Sequence, residues 1–308
     1  AALGAQKPKT AKTQSKVAES APTYTEWHDL QVNDINRFPL HTTFFTFASG
    51  EVSAKGEGDK TQSKNFLSLD GTWKFNWVEN ADQRPTDFYK ADLDDSKWSN
   101  IQMPGNWEML GFGQPEYVNN GFAWRGHFDQ QPPAVPTKDN HVGSYRRIID
   151  IPENWDGKQV IAHFGSVTSN IYLYVNGKFV GYAEDSKIAA EFDITPYMKK
   201  GKNLIAFQTF RWCDGSWCED QDFWRLSGVA RENYLYARDA KTQIEDIRVT
   251  PDLVNNYKDG VLDIKATVKG NPVVVYQLHD NVTGKIVIQK IIKSANGKAD
   301  CTLQVADP

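Results

Sequence analysis

The sequence predicts an all-β protein in which a jelly-roll β-sandwich is followed by an immunoglobulin-like β-sandwich. From about residue 66 onward, short β-branched and aromatic runs bounded by Gly, Asn, Asp and Pro dominate, and no long helical period interrupts them. After residues 238–241, aromatic residues become scarce and β-branched residues take over. We therefore expect two domains, at residues 24–240 and 241–308.

The first sandwich is predicted from runs that alternate apolar and polar residues, because each such run indicates a strand with one buried face. The clearest are 69–77 (LDGTWKFNW), 144–151 (SYRRIIDI) and 203–210 (NLIAFQTF). Residues 171–183 (IYLYVNGKFVGYA) predict a hairpin, since Asn176-Gly177 tolerates the positive φ angles of a two-residue turn. Residues 191–197 (EFDITPY) add a short strand and a connection. An antiparallel unit of this kind is typical of a jelly roll.

The second sandwich is predicted from five β-branched runs, at 244–250, 261–268, 272–278, 285–292 and 299–305. An immunoglobulin-like domain usually has about seven strands, so we expect a domain that is cut short at Pro308. Residues 281–283 (NVT) fit a glycosylation sequon, but a hairpin turn is the favoured interpretation.

The N-terminal residues have a different composition. Residues 1–23 contain four Lys, one Glu and no aromatic residue, which predicts a disordered tail. Such a tail could follow a cleaved export signal, so a periplasmic or secreted location is expected, with a cytoplasmic one as the alternative. Residues 24–47 are predicted to form an ordered strap on a neighbouring surface, with His28 and His41 packed or solvated rather than catalytic.

Composition excludes several classes of protein. The net charge of -4 and the absence of a basic stripe argue against a nucleic-acid partner. No apolar run approaches the roughly 18 to 20 residues of a membrane-spanning helix. Cys213, Cys218 and Cys301 are too few for a disulfide framework or a thiolate metal site, so Cys213 and Cys218 are expected to be reduced, partly buried thiols.

Residues 211–228 (RWCDGSWCEDQDFWRLSG) carry the strongest functional signal, with three Trp, one Phe, four acids and two Arg. Aromatic rings can cover the C–H face of a sugar, and carboxylates accept hydrogen bonds from its hydroxyls. This segment therefore predicts part of a carbohydrate site. Two nearby carboxylates also suit glycoside hydrolysis, although the same acids could cap turns, pair with arginines or bind a hard cation.

Asp214 is the most site-like acid of this segment. The turn Asp214-Gly215-Ser216 is expected to hold the carboxylate outward between the flanking tryptophans. Glu219 and Asp220 are interpreted as turn and salt-bridge groups, with Arg225 as the partner of one of them.

A second candidate region, residues 103–124, is loop-like and carries Trp107, Tyr117, Asn119, Asn120 and Trp124. An Asn amide both donates and accepts, which suits a sugar hydroxyl, but Asn is also common in turns. The residues alone leave these two interpretations open.

Together these motifs resemble the N-terminal part of a large bacterial β-galactosidase of glycoside hydrolase family 2. The resemblance rests on an ordered series: Asn36-Arg37, LDGTWKF at 69–75, PGNW at 104–107, YVN at 117–119, GSYR at 143–146, FGSV at 164–167, VNGKFVGY at 175–182, EDSK at 184–187, EFD at 191–193 and the segment 211–228. It implies a jelly-roll sugar-binding domain and an immunoglobulin-like domain, followed by a TIM barrel.

The resemblance also implies roles for individual residues. Asp214 would reach into the active site, contacting galactose hydroxyls and an alkali cation, Na⁺, while Asn119 would contact substrate. Mg²⁺ would belong to the full-length enzyme. Cys213 and Cys218 depart from the family pattern and leave the redox behaviour open.

The two catalytic glutamates of such a retaining enzyme would lie on a barrel of about 250 residues, and no such stretch exists here. The chain is therefore expected to hold no catalytic residue, to be inactive alone and to belong to a longer enzyme. Its partners would be a galactoside, the TIM barrel and, through homo-oligomer formation, further copies. Alternatives are a stand-alone carbohydrate-binding module, a β-glucuronidase or β-mannosidase portion, and a structural subunit-contact protein.

Overall fold

The computed structural model describes residues 21–53 and 57–306, and its regular structure is almost entirely antiparallel β. The expected disordered tail lies, up to residue 20, outside the described residues. The strands of the first part are β1 (Asp34–Ile35), β2 (Phe66–Ser68), β3 (Gly71–Val78), β4 (Ser99–Met103), β5 (Gly105–Asn106), β6 (Glu116–Val118), β7 (Val142–Ile151), β8 (Gln159–Phe164), β9 (Val167–Thr168), β10 (Ile171–Val175), β11 (Lys178–Ala183), β12 (Ala190–Asp193), β13 (Gly201–Phe210), β14 (Phe223–Arg225), β15 (Gly228–Val229) and β16 (Asn233–Arg238).

The second part contains β17 (Gln243–Val254), β18 (Asp259–Lys269), β19 (Val273–His279), β20 (Ile286–Lys293) and β21 (Cys301–Ala306). The helical residues lie in short 3-10 turns at Glu26–His28, Lys60–Gln62, Ala81–Gln83, Glu108–Leu110, Glu153–Trp155, Thr195–Tyr197 and Asp214–Trp217. Within the described residues, no helix has the length and apolar character needed to cross a membrane. The predicted all-β class is confirmed.

Two sheets face each other in the first sandwich. One has seven strands in the order β1-β11-β10-β13-β7-β3-β4, and the other has four in the order β12-β8-β16-β2. Aromatic side chains from alternate positions fill the space between them. The Phe207 ring of β13 stacks 4.3 Å from Tyr145 and lies 5.3 Å from Phe164 of the opposite sheet, measured between ring centroids. Burial of these large rings is the main stabilising contribution to the sandwich.

The predicted hairpin joins β10 and β11. Asn176 has φ 51° and Gly177 has φ 83°, the positive values that this two-residue turn requires. The Asn176 side chain also donates to the Tyr197 carbonyl over 2.9 Å and accepts from the Leu204 amide over 3.0 Å. The hairpin is confirmed, and its turn is anchored to β13.

The second sandwich consists of a three-stranded sheet, β17-β18-β21, and a two-stranded sheet, β19-β20. All five predicted strands form, and they enclose a small core that includes Ile264, Val274, Tyr276 and Leu303. Residues 281–283 lie in the turn between β19 and β20, where the Gly284 amide donates to the Asp280 carbonyl over 2.8 Å.

The strap residues lie on the first sandwich. Trp27 is buried and stacks on Phe210 with 5.1 Å between ring centroids. β1 adds an edge strand to β11. Farther along, Nε2 of His41 lies 2.9 Å from the Glu191 carboxylate of β12, so His41 is packed and paired.

Candidate functional site

The segment 211–228 leaves the end of β13 and begins with a 3-10 turn, Asp214–Trp217. Two reciprocal contacts fix the start of this turn: the Cys213 amide donates to Oγ of Ser216 over 3.1 Å, and the Ser216 amide donates to the Cys213 carbonyl over 3.0 Å. Cys213 is fully buried, whereas Cys218 is exposed, and both are free thiols in the described structure. The expectation of two partly buried thiols therefore fits neither residue closely.

The Asp214 carboxyl group is buried, with 2% of the residue exposed, and does not project into solvent as the turn motif predicted. Its Oδ1 atom accepts from the Gly215 amide over 2.9 Å. Its Oδ2 atom is also buried and receives no hydrogen bond from an N–H or hydroxyl group within the described residues, whereas a protonated Glu184 can donate to the Asp214 carboxyl group. Burial raises the pKa of Asp214, because the charged form loses its hydration.

Glu184 directly follows β11, and its carboxyl group lies next to that of Asp214. One Glu184 oxygen accepts from the Tyr182 hydroxyl over 2.5 Å, and burial raises the pKa of Glu184 to about 8, with a further contribution from the nearby Asp214 charge. A Cβ atom at Gly215 would lie 2.9 Å from the other Glu184 oxygen, so glycine leaves the space that this carboxyl group occupies. Sequence reasoning missed Glu184 as a site residue; the available signal was an acid next to an apolar strand, in the EDSK motif.

The Glu184 and Asp214 carboxyl groups fit a hard cation in their donor types, whereas the Cys213 thiol beside them does not. One ligand atom from each of Glu184, Cys213 and Asp214 lies within 4.8 Å of the others, and carboxylate oxygens are the ligands that such cations prefer. The buried Oδ2 atom of Asp214 offers an unused acceptor. Burial raises the pKa of the Cys213 thiol well above its usual value, so this thiol remains protonated and adds no negative charge.

The other three acids of the segment serve local structure. Glu219 accepts from the Ser186 amide over 2.9 Å, Asp220 pairs with Arg225, and Asp222 accepts from the Tyr117 hydroxyl. Arg225 is therefore the partner of an acid, as predicted. Within the described residues, none of these three acids has a buried oxygen without a partner, in contrast to Oδ2 of Asp214.

The fold brings the two candidate regions of the sequence together. β6 pairs with β14 in a two-stranded ribbon, and the Arg211 guanidinium contacts the Glu116 carboxylate over 2.8 Å. The Trp217 ring also packs against Phe122, with 4.2 Å between centroids. Asn119 follows β6 directly and is exposed. Asn119 and the segment that carries Asp214 are thus held next to each other by these contacts.

The tryptophans that were expected to flank the site pack inward instead. Trp212 and Trp217 lie 5.3 and 4.9 Å from the buried Trp124, measured between ring centroids. Trp107 is buried in the main core and donates to Tyr145. The exposed rings of the segment and its ribbon are Tyr117 and Trp224, about half of whose surfaces are accessible.

A cleft of about 560 Å³ lies on the inner side of the ribbon. Its lining includes Lys187, Arg211, Phe223 and Arg225. The two arginines are already paired with acids, and most of the other residues that line the cleft are polar.

Solved structures show the same fold at low sequence identity. The chain is similar to a β-glucuronidase from an uncultured Clostridium species, with a TM-score of 0.59 and 18% identity over 80% of this chain and 40% of that one. It is also similar to a β-glycosidase from Bacteroides vulgatus, with a TM-score of 0.57 and 21% identity over 79% and 29% of the two chains.

Curated relatives are more similar in sequence. The chain is 39% identical over 260 residues to a β-galactosidase of Priestia megaterium and 36% identical over 284 residues to one of Halalkalibacterium halodurans. These matches cover 83% and 91% of this chain but only 25% and 27% of the relatives. The chain therefore spans about a quarter of the length of these relatives.

A family model described as "Glycosyl hydrolases family 2, sugar binding domain" matches residues 66–239. The match covers more than half of the 308 residues and includes both candidate regions and, apart from β1, both sheets of the first sandwich. We conclude that the chain belongs to glycosyl hydrolase family 2.

Proposed function

We propose that this chain is the sugar-binding N-terminal region of a retaining β-galactosidase that hydrolyses terminal β-D-galactosides. The observation that carries the proposal is the buried Asp214 carboxyl group, whose Oδ2 atom receives no N–H or hydroxyl donor among the described residues. A buried polar atom without a partner is costly, so a ligand that satisfies it would bind favourably. The names of the curated relatives support a galactoside as that ligand.

In this proposal, Asp214 accepts hydrogen bonds from galactose hydroxyls, and the exposed Asn119 amide donates to and accepts from another hydroxyl. Glu184 holds the Asp214 carboxyl group in place from its inner side. Na⁺ would be held by Asp214, with Glu184 as the nearest second carboxyl group, and would balance the negative charge there. Mg²⁺ is assigned to the rest of the longer enzyme.

The bond-breaking chemistry would come from elsewhere. Retaining hydrolysis needs a general acid/base and a nucleophile about 5 Å apart, and a TIM barrel of the same longer protein would supply both as glutamates. This chain alone would therefore be inactive. Its partners would be the galactoside, the barrel and, in a homo-oligomer, other copies of the same protein.

The test is a chimera in which this chain replaces the matching quarter of the Priestia megaterium relative. We expect the chimera to hydrolyse a nitrophenyl β-galactoside and the purified 308-residue chain to show no turnover. Asp214→Asn and Asn119→Ala should each raise KM at least about tenfold, because each removes polar contacts to substrate, whereas Asn281→Ala, at an exposed position of the second sandwich, is the matched control. Unchanged kinetics in both site variants would refute the assigned roles, and turnover by the chain alone would refute its inactivity.

A further inference from the structure

The ribbon formed by β6 and β14 has two different faces. Its cross-strand pairs are Phe223 with Val118, Trp224 with Tyr117 and Arg225 with Glu116. Since side chains alternate along a strand, the first and third pairs share one face and the middle pair occupies the other. Arg225 is buried and paired with Asp220 on the inner face, whereas Tyr117 and Trp224 are 52% and 53% exposed on the outer face.

We propose that Tyr117 and Trp224 form a platform that stacks against a pyranose ring of a saccharide, next to the galactose unit assigned to Asp214 and Asn119. This inference rests on the proposed function of the segment, and it adds a second subsite and two residues that determine specificity. Family membership and the matched relatives assign no role to either ring.

The geometry of the two rings suits this role. Their centroids lie 5.6 Å apart and their planes meet at 63°, so one ring can serve as the floor of the subsite and the other as its wall. The Tyr117 hydroxyl donates to Asp222, which fixes the orientation of the ring. A platform that is already ordered loses little conformational entropy when a ligand binds.

The surroundings favour a sugar over a protein partner. The exposed apolar surface of the ribbon is limited to the two rings, because Val118 and Phe223 are partly covered on the inner face. Sites that bind proteins usually present larger contiguous apolar patches. The exposed polar groups beside the rings are Asn119, Asn120, Gln221 and Asp222. This combination matches a pyranose, which presents C–H groups on its face and hydroxyls at its edge.

The ribbon also has a fixed position relative to Asp214. The Glu116 carboxylate of β6 contacts the Arg211 guanidinium, three residues before Asp214, over 2.8 Å. Both strands of the ribbon are therefore tied to the segment that carries the proposed galactose contacts. In this proposal, a saccharide of two units occupies both places, with its second ring on the platform.

The test uses the 308-residue chain labelled with 5-fluorotryptophan, observed by fluorine NMR during titration with lactose. Trp224→Phe assigns the resonance of Trp224. We expect that resonance to shift saturably, while the resonances of the buried Trp107 and Trp155 stay in place. Trp224→Ala should weaken lactose binding about tenfold, because it removes one stacked ring face. Tyr257→Ala is the matched control, since Tyr257 is 81% exposed and lies in the second sandwich.

The outcomes separate this inference from the proposed function. If Asp214→Asn weakens lactose binding but Trp224→Ala does not, the platform is refuted and the galactose contacts stand. If Trp224→Ala weakens binding but Asp214→Asn does not, the platform is supported and the role of Asp214 is refuted. A Trp224 resonance that does not respond to lactose at any concentration overturns the platform.

Discussion

Glu184 and Glu191 belong to the same sandwich and are buried to a similar degree, with 6% and 8% of each residue exposed. Burial raises the pKa of Glu184 to about 8, and the nearby Asp214 charge adds to this effect. Burial also disfavours the charged form of Glu191, but hydrogen bonds from His163 and His41 outweigh it and lower the pKa to about 2. The partners of a buried acid, and not burial alone, therefore decide whether it carries a charge.

The difference between the two pKa values follows from the groups that contact each acid. Glu191 receives contacts from His41 of the strap, His163 of β8 and Tyr236 of β16, over 2.9, 2.7 and 3.0 Å. Within the described residues, no Lys, Arg or His pairs with Glu184 or Asp214. The first arrangement is a satisfied structural network, whereas the second leaves an acceptor for a ligand.

We expect Glu191→Gln to cause the largest loss of stability. The substitution removes the charge that two histidines share, and breaking a buried ion pair from one side typically costs about 3 kcal/mol or more. The measurement is urea unfolding at pH 6. Because the pKa of Glu191 is about 2 in the folded state, its contribution is present above the usual pKa of 4.5 and disappears only as the pH falls through 2. A loss below about 0.5 kcal/mol at pH 6 would show that the network does not stabilise the fold.

In contrast to Glu191→Gln, Glu184→Gln should increase the free energy of unfolding at high pH. A raised pKa in the folded state means that the folded chain holds a proton which the unfolded chain releases, so stability falls as the pH rises from 4.5 through 8. Gln keeps an acceptor for Tyr182 and cannot ionise. We expect the variant to be more stable than the parent by on the order of 2 kcal/mol at pH 9 and similar to it at pH 5.

This measurement requires a buffer without alkali cations, because a bound cation would favour the ionised acids. Asp263→Asn is a suitable control, since Asp263 is partly exposed in the second sandwich. Parallel stability curves for the parent and Glu184→Gln between pH 5 and 9 would contradict the assignment of a protonated Glu184.

Gly215→Ala tests how closely the turn that follows Asp214 packs against Glu184. The new Cβ atom would lie 2.9 Å from a Glu184 oxygen and 3.5 Å from the Cys213 sulfur, so the Glu184 carboxyl group must move. Overpacking of this kind typically costs about 1 to 2 kcal/mol. Thermal unfolding at pH 6 would measure the loss, and the same substitution in a Glu184→Ala background should cost less, because the carboxyl group that the new methyl group meets is gone. Additive losses would argue against that contact.

Most of the fold could be predicted from the sequence because the signals for its hairpin and strands come from residues that are close together in the chain. Asn176-Gly177 specifies a hairpin through its φ angles alone. Alternation of apolar and polar residues likewise located β3, β7 and β13 to within a few residues. Each of these signals depends on neighbours in the chain, which a sequence displays directly.

The candidate site was less predictable because its contacts are long-range. Glu184 and Asp214 are separated by 30 positions and meet only because β11 ends beside the 3-10 turn. The inward packing of Trp212 and Trp217 depends on Trp124, which comes from another loop. The composition of residues 211–228 indicated the chemistry of the site but not which side chains face the ligand.

We expect a smaller effect from His41→Ala, which removes one of the two histidines that contact Glu191. The hydrogen bond to Glu191 raises the pKa of His41 above 6.5, against an opposing effect of burial. Its contribution is therefore fully present below pH 6.5 and disappears as the pH rises through the higher folded-state pKa. Because the imidazole is partly exposed, we expect at most about 1 kcal/mol of lost stability at pH 5.5, and less at pH 9. His28→Ala is the matched control, since His28 is an exposed histidine of the same strap. A loss that does not change between these pH values would mean that His41 stabilises the strap by packing, without a charged hydrogen bond to Glu191.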